Sequence, residues 1–208
     1  MAPTERLTSA AIGFSSHSGW AAVVCLGGST PALIERSRLL LTSSLLPREP
    51  YHDAKRGGGL EEAEKIVAAA AEEARALAVE AIAGLVASVR AHGYEFVASG
   101  VVLGGGRPDF TLPQALSTHA AMHGAEGWLF REALIQASQE CGLKATGVPE
   151  RDLPARAAAA LGRSESAVGG LMQQLGRGQG APWGRDQKAA ALAALVALHS
   201  DSQRAPRP

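Results

Sequence analysis

Apolar residues gather first in three short runs between positions 9 and 41: SAAIGF, WAAVVCLGG and ALIERSRLLLTS. They are parted by SSHSG and GGSTP. Short Gly/Ser/Pro separators between apolar runs specify hairpins, so three antiparallel strands are expected here. Residues 42–59 are polar and read as a long loop, functional or mobile. From about Leu60 to about Ala91 the period becomes helical, with Ala78, Ile82, Leu85 and Val89 as an apolar stripe. Glu61, Glu62 and Glu64 load the first turn of that helix, and Gly93 stops it. YEFVASGVVLGGG then reads as a buried strand over 94–103 that runs out into glycines.

A second helix is expected from about Ser117 to Glu140, a short strand at about 143–148, and two short helices in ERDLPARAAAALG and SESAVGGLMQQLG. GRGQGAPWG reads as a flexible loop, and a last helix runs from near Asp186 to about His199. The order βββ-α-β-α-β-α-α-α predicts an α/β fold, a mixed sheet with helices on its faces. We expect one domain over 9–200, with tails at 1–8 and 201–208.

Composition narrows the function classes. The formal net charge is +0, which argues against an indiscriminate polyanion binder but leaves room for a local basic patch. Cys25 and Cys141 form no CxxC and are expected to be free thiols. No signal-peptide pattern opens the chain, and charges interrupt the alanine-rich stretch 66–91, so a cytoplasmic protein without a membrane partner is expected.

Four segments resemble the RuvC-like, Holliday-junction-resolvase branch of the ribonuclease H-like superfamily. They are IGFSSHSGWA, AEGWLFREALIQASQECGLKATGVPERDLPARAAAALG, SESAVGGLMQQLG and DQKAAALAALVAL. The resemblance implies a mixed sheet of about five strands, the first three antiparallel, flanked by helices. It also implies nuclease chemistry on structured DNA or RNA, with divalent ions held between carboxylates. Those acids belong on the first strand, on the strand after the long helix and on the last helix. Here the first position is Ser15, the second region has no acid until Asp109, and only Asp186 matches. A hydroxyl does not neutralise hard Mg²⁺ as a carboxylate does, so the usual two-metal site is expected to be absent.

Other residues offer chemistry. His119, His123 and Glu126 stand at i, i+4 and i+7, one helical face. Two imidazoles and a carboxylate so spaced suit a divalent metal such as Mg, Mn or Zn. Acid–base work without metal, or hydrogen bonds to loop carbonyls, are the alternatives. His17, with Ser15 and Ser16, lies in the first turn, at the cleft edge near the start of the last helix and Asp186, where it contacts phosphate, completes a site with His123 and Glu126, or is a solvated turn residue. His52 sits on the polar loop and either covers the cleft or marks a surface turn. Arg107 beside GGG could meet phosphate, unless those glycines only make a tight exit from the sheet. Trp183 with Arg185 suits nucleic acid, or else pins the loop. Trp20 and Trp128 are expected in the core.

Three function classes follow. The first is a divergent nucleic-acid-processing protein, a metal-dependent nuclease whose non-standard site uses Glu126, Asp186 and His123. The second is a non-catalytic interaction module of the same fold. The third is a nucleotide-binding or phosphotransfer protein of the related actin-like fold. A homodimer is left open as an assembly.

Overall fold

The structure, a computed structural model, describes residues 7–104 and 111–200. Five strands form one sheet in the order β3-β2-β1-β4-β5. They are β1 (Thr8–His17), β2 (Trp20–Gly27), β3 (Ala32–Leu40), β4 (Tyr94–Leu103) and β5 (Lys144–Pro149). The first three are antiparallel, and β4 and β5 join β1 in parallel. The hairpin register pairs His17 with Trp20. Only two residues close that turn. Gly19 takes φ 78°, a left-handed value that favours glycine, and a Cβ there would sit 2.8 Å from Thr42 Oγ1.

Strand alternation sends side chains to two different cores. Ile12, Phe14, Val23 and Cys25 pack beneath the long helix α2 (Leu60–Ala91) and α4 (His119–Glu140). Val24, Leu26 and Val102 pack beneath α5 (Leu153–Leu161), α6 (Glu165–Gly176) and α7 (Arg185–Ser200). The α7 face is alanine-lined for a steric reason. A Cβ on Gly13 would lie 1.9 Å from the Ala190 carbonyl oxygen, and one on Gly100 would lie 2.2 Å from that of Ala193. Helix backbone thus rides directly on sheet backbone. Bulkier residues at Ala190, Ala193 or Ala194, all fully buried, would push the helix away.

Two short helices interrupt segments expected to be irregular. The polar stretch 42–59 contains α1 (Pro50–Arg56), so the expected loop is corrected to loop plus helix. Pro50 begins it, where a missing N–H costs nothing, and Lys55 and Arg56 complement its carboxyl end. The segment before it is tied down as well: Ser43 donates to Glu73 of α2 through both N–H (3.2 Å) and Oγ–H (2.5 Å). α3 (Leu112–Ala115) is opened by a Thr111/Gln114 capping box. α4 begins two residues later than expected because Thr118 is its N-cap, accepting from the Ala121 N–H at 3.1 Å. That cap places His119 in the first turn. Nor is the glycine-rich loop before α7 free. The Arg36 guanidinium donates to the carbonyls of Gln179 and Pro182, and the Trp183 indole N–H donates to Met172 O at 2.8 Å. No described helix is long and apolar enough to cross a membrane.

Candidate active site at the carboxyl edge of the sheet

β1, β3, β4 and β5 all point the same way, so their carboxyl ends share one edge. In open α/β sheets this edge is where ligands bind. α4 follows β4 in the chain and so starts at this edge. α7 runs antiparallel to β1, with Asp186 beside His17 and Ala190 over Gly13. Both helices therefore bring their first turns to one edge, from opposite faces of the sheet. The polar residues singled out in the sequence form two groups there.

On the α7 face, His17 Nε2 lies 3.0 Å from Asp186 Oδ1, and both side chains are partly exposed. His17 also stacks on Trp20, centroids 4.4 Å apart and planes 14° apart. The Arg38 guanidinium sits 3.9 Å from the Trp20 ring centroid, within cation–π range. A pocket opens here, lined by Trp20, Arg36, Arg38, Pro182, Arg185 and Asp186. Trp20 is thus half-buried at the working edge, which corrects its expected place in the core. Ser15 is buried two residues before His17, on the same face of β1, and Ser16 is half-buried. Arg185 is engaged by Glu150, at 2.7 and 3.0 Å. Asp186 is the second residue of α7, and its carboxylate reaches His17. Trp183 is half-buried and pins its loop through the indole N–H.

On the α4 face lies the second group. Glu126 is fully buried in the second turn of α4. Its Oε1 accepts from His52 Nδ1 at 2.8 Å and from the His52 backbone N–H at 3.3 Å. A carboxylate only accepts, so the Nδ1–H of His52 is the donor here and Nε2 is the ring nitrogen turned outward. That Nε2 is 3.0 Å from His119 Nδ1, and His119 Nε2 is 3.0 Å from His123 Nε2. Glu126 Oε2 is buried without a hydrogen-bond partner in the protein, 3.5 Å from His123 Nδ1. His119 and His123 face solvent, while the His52 side chain is only 13% exposed. His52 is therefore neither a surface-turn residue nor a loose cover, because α1 delivers it into the group. Next to it, burial pushes the Tyr51 phenol up, and the charge of Glu126 adds to that rise.

Sequence reasoning missed Arg131. Its guanidinium lies at the end of β4, where a Cβ on Gly104 would come within 2.8 Å of Nη2 and one on Gly127 within 3.0 Å of Nη1. Burial pulls its pKa down, opposed by the charge of Glu150, and its Nε is buried without a partner. The available signal was an arginine amid Leu129, Phe130, Ala133 and Leu134, one turn after a glycine. Arg107 and Asp109 lie outside the described residues.

The described residues of this edge do not fit the carboxylate-held pair of divalent ions that the resemblance implies. Ser15 stands on β1, β4 runs into Leu103 and Gly104, and Asp186 is bonded to His17.

No protein-family model matches the chain, and no curated protein matches it. Solved structures do. A Thermus thermophilus RuvC in complex with Holliday junction substrate is similar over 96% of this chain and 99% of its own, at 13% identity and TM-score 0.53. A second Thermus thermophilus RuvC structure is similar over 93% of this chain and 96% of its own, at 13% identity and TM-score 0.52. Likeness at that identity speaks to architecture, and it agrees with the strand order and helix placement above: the chain has a RuvC-like, ribonuclease H-like fold.

Proposed function

We propose that this chain is a nucleic-acid-processing protein that takes structured DNA or RNA at the carboxyl edge of its sheet and hydrolyses it in a metal-dependent way. The observation that carries the reading is the convergence of two polar groups on that edge, from opposite faces of a RuvC-like fold. Arg38 and Arg48 are exposed on one side and the imidazoles of His119 and His123 on the other. Arg38, with Arg185 released from Glu150, meets phosphate, and His17 and Ser16 border the path. Hydrolysis adds a water oxygen to phosphorus and breaks the bond to the leaving oxygen. The water's proton passes to Asp186 or His123, and the leaving oxygen takes up a proton. Glu126 is fully buried and acts through His52 and His123. A second reading is favoured by Ser15 and Gly104 standing where acids are implied: a module that holds branched nucleic acid without cutting it.

The test is anisotropy with a labelled four-way DNA junction, its duplex arms and single strands, followed by cleavage gels in Mg²⁺, Mn²⁺ and Zn²⁺. We expect junction-preferring binding that weakens as salt rises, since phosphate neutralisation releases counterions. Arg38→Ala should weaken it further. No junction binding at low salt rejects both readings. Binding without cleavage in any of the three metals rejects the nuclease and keeps the module.

A further inference from the structure

The histidine group has the composition and second-sphere geometry of a transition-metal centre. We infer that His52, His119 and His123 ligate one zinc-class divalent ion through nitrogen, while Glu126 acts as the orienting carboxylate behind His52. This deepens the metal-dependent reading above by naming the ion class and the ligands.

Four observations carry it. One ligand nitrogen from each of the three imidazoles falls within 4.8 Å of the others. His119 reaches His52 through Nδ1 and His123 through Nε2, each at 3.0 Å, so whichever of its nitrogens ligates has one partner nitrogen at that distance. A tetrahedral ion with Zn–N of about 2.0–2.1 Å needs its ligand nitrogens about 3.3 Å apart, inside that range. Next, ligating histidines characteristically donate their other ring N–H to a carboxylate, which fixes the tautomer and raises ligand basicity. His52 does so at 2.8 Å, to a carboxylate that is fully buried and also holds the His52 backbone N–H. Third, Glu126 Oε2 is buried and unpartnered, 3.5 Å from His123 Nδ1, so a modest turn of the His123 ring gives it the same support. Finally, the group is asymmetric: Glu126 closes it from below, and the exposed His119 and His123 leave a side open to solvent. Three protein ligands with one open position is the pattern of catalytic rather than structural zinc, the fourth place being taken by water or substrate.

The donor set also chooses the ion. Three imidazoles suit Zn²⁺, Cu²⁺, Fe²⁺ or Ni²⁺, whereas Mg²⁺ takes oxygen ligands and keeps its water. Two helices must cooperate to build the centre. His119 and His123 come one turn apart on α4, and α1 brings the third nitrogen from 67 residues away in sequence.

The test is calorimetric titration of the metal-stripped, full-length protein with Zn²⁺ and, separately, Mg²⁺, together with Co²⁺ titration read by the intense visible bands of tetrahedral cobalt. We expect one Zn²⁺ per chain, no measurable Mg²⁺ binding at the same concentrations, and tetrahedral cobalt bands. His52→Ala, His119→Ala and His123→Ala should each abolish binding while circular dichroism stays that of the wild type. Glu126→Gln should weaken Zn²⁺ about 10–100-fold without abolishing it, as orienting carboxylates do. Absence of Zn²⁺ binding by the wild type, or Mg²⁺ bound as tightly as Zn²⁺, overturns the inference. So does retention of Zn²⁺ by His52→Ala. Because no nucleic acid is present, the outcome is separable from the function above: junction binding in chelator with no Zn²⁺ site overturns this inference alone.

Discussion

The two polar groups at the carboxyl edge are made of similar residues and differ in how they are solvated. His17 and Asp186 meet at 3.0 Å with side chains 46% and 32% exposed. His52 and Glu126 meet at 2.8 Å with side chains 13% and 0% exposed. Water substitutes for either partner in the first pair, so the pair is worth little to the fold. No water-accessible surface remains on Glu126, so its partners are obligatory. A group that must be held by protein atoms is also a group whose geometry is fixed in advance. That preorganisation is what an ion-binding centre needs, whereas an exposed imidazole–carboxylate pair is free to rearrange around a phosphate.

The comparison breaks most directly at Glu126. Glu126→Ala strips the acceptor from the His52 ring and backbone N–H and leaves a void under the imidazoles. Leaving the two His52 N–H donors without an acceptor costs about 1–3 kcal/mol each, and urea unfolding should show that loss. A loss below about 1 kcal/mol, the range of exposed pairs, would mean that the group is solvated after all and would erase the contrast.

Gly13→Ala lesions the other face. The added Cβ would lie 1.9 Å from the Ala190 carbonyl oxygen, and helix backbone yields less readily than a side chain. Overpacking a tight core costs about 1–3 kcal/mol, occasionally more, and this contact belongs at the upper end. Displacing α7 separates Asp186 from His17 but leaves α4 in place. The variant should therefore keep the proposed Zn²⁺ site while losing junction affinity. Loss of both together would show that the two groups are one unit.

Cys25 extends the contrast to a buried acid with no cationic partner among the described residues. Burial, with a smaller push from the charge of Glu35, drives its thiol far above the ordinary range. The folded-state pKa is raised, so the associated stability is intact below the unfolded value and is lost as pH rises through it. Each pH unit above about 8.5 should remove about 1.4 kcal/mol while the folded thiol stays protonated. Unfolding free energies at pH 8 and pH 10 should thus fall by about 2 kcal/mol more in the wild type than in Cys25→Ala. Equal slopes would show that the thiol ionises in the folded protein.

The elements were legible because their signals are local. Hydrophobic period and glycine stops placed α2 and β4 at their observed bounds, and the Gly/Ser-rich separator SSHSG placed the first hairpin. The i, i+4, i+7 spacing put His119, His123 and Glu126 on one face, and they do gather. What was illegible depends on tertiary context. His52 is 74 residues from Glu126, and no periodicity links them. α1 has only seven residues, too few for a hydrophobic pattern to stand out from a polar loop. Trp20 looked like core because it opens an apolar strand, yet its place beside the turn carries it to the edge. The burial of Arg131 follows from the room left by Gly104 and Gly127, which lie on different elements.

The smallest expected effect closes the comparison from the exposed side. Asp186→Asn keeps the shape of the side chain and removes its charge, so it should change stability by at most about 1 kcal/mol. At about 1 M salt, where the screening length falls to about 3 Å, even that difference should vanish. The penalty of Glu126→Ala should survive the same salt, because ions do not reach a carboxylate with no accessible surface. The measurement is a set of four urea curves, two variants at low and high salt, each referred to the wild type. A salt-resistant Asp186→Asn penalty would mean that His17 and Asp186 are drier in solution than their exposure implies. Their role would then move from contacting substrate to holding the first turn of α7 on β1.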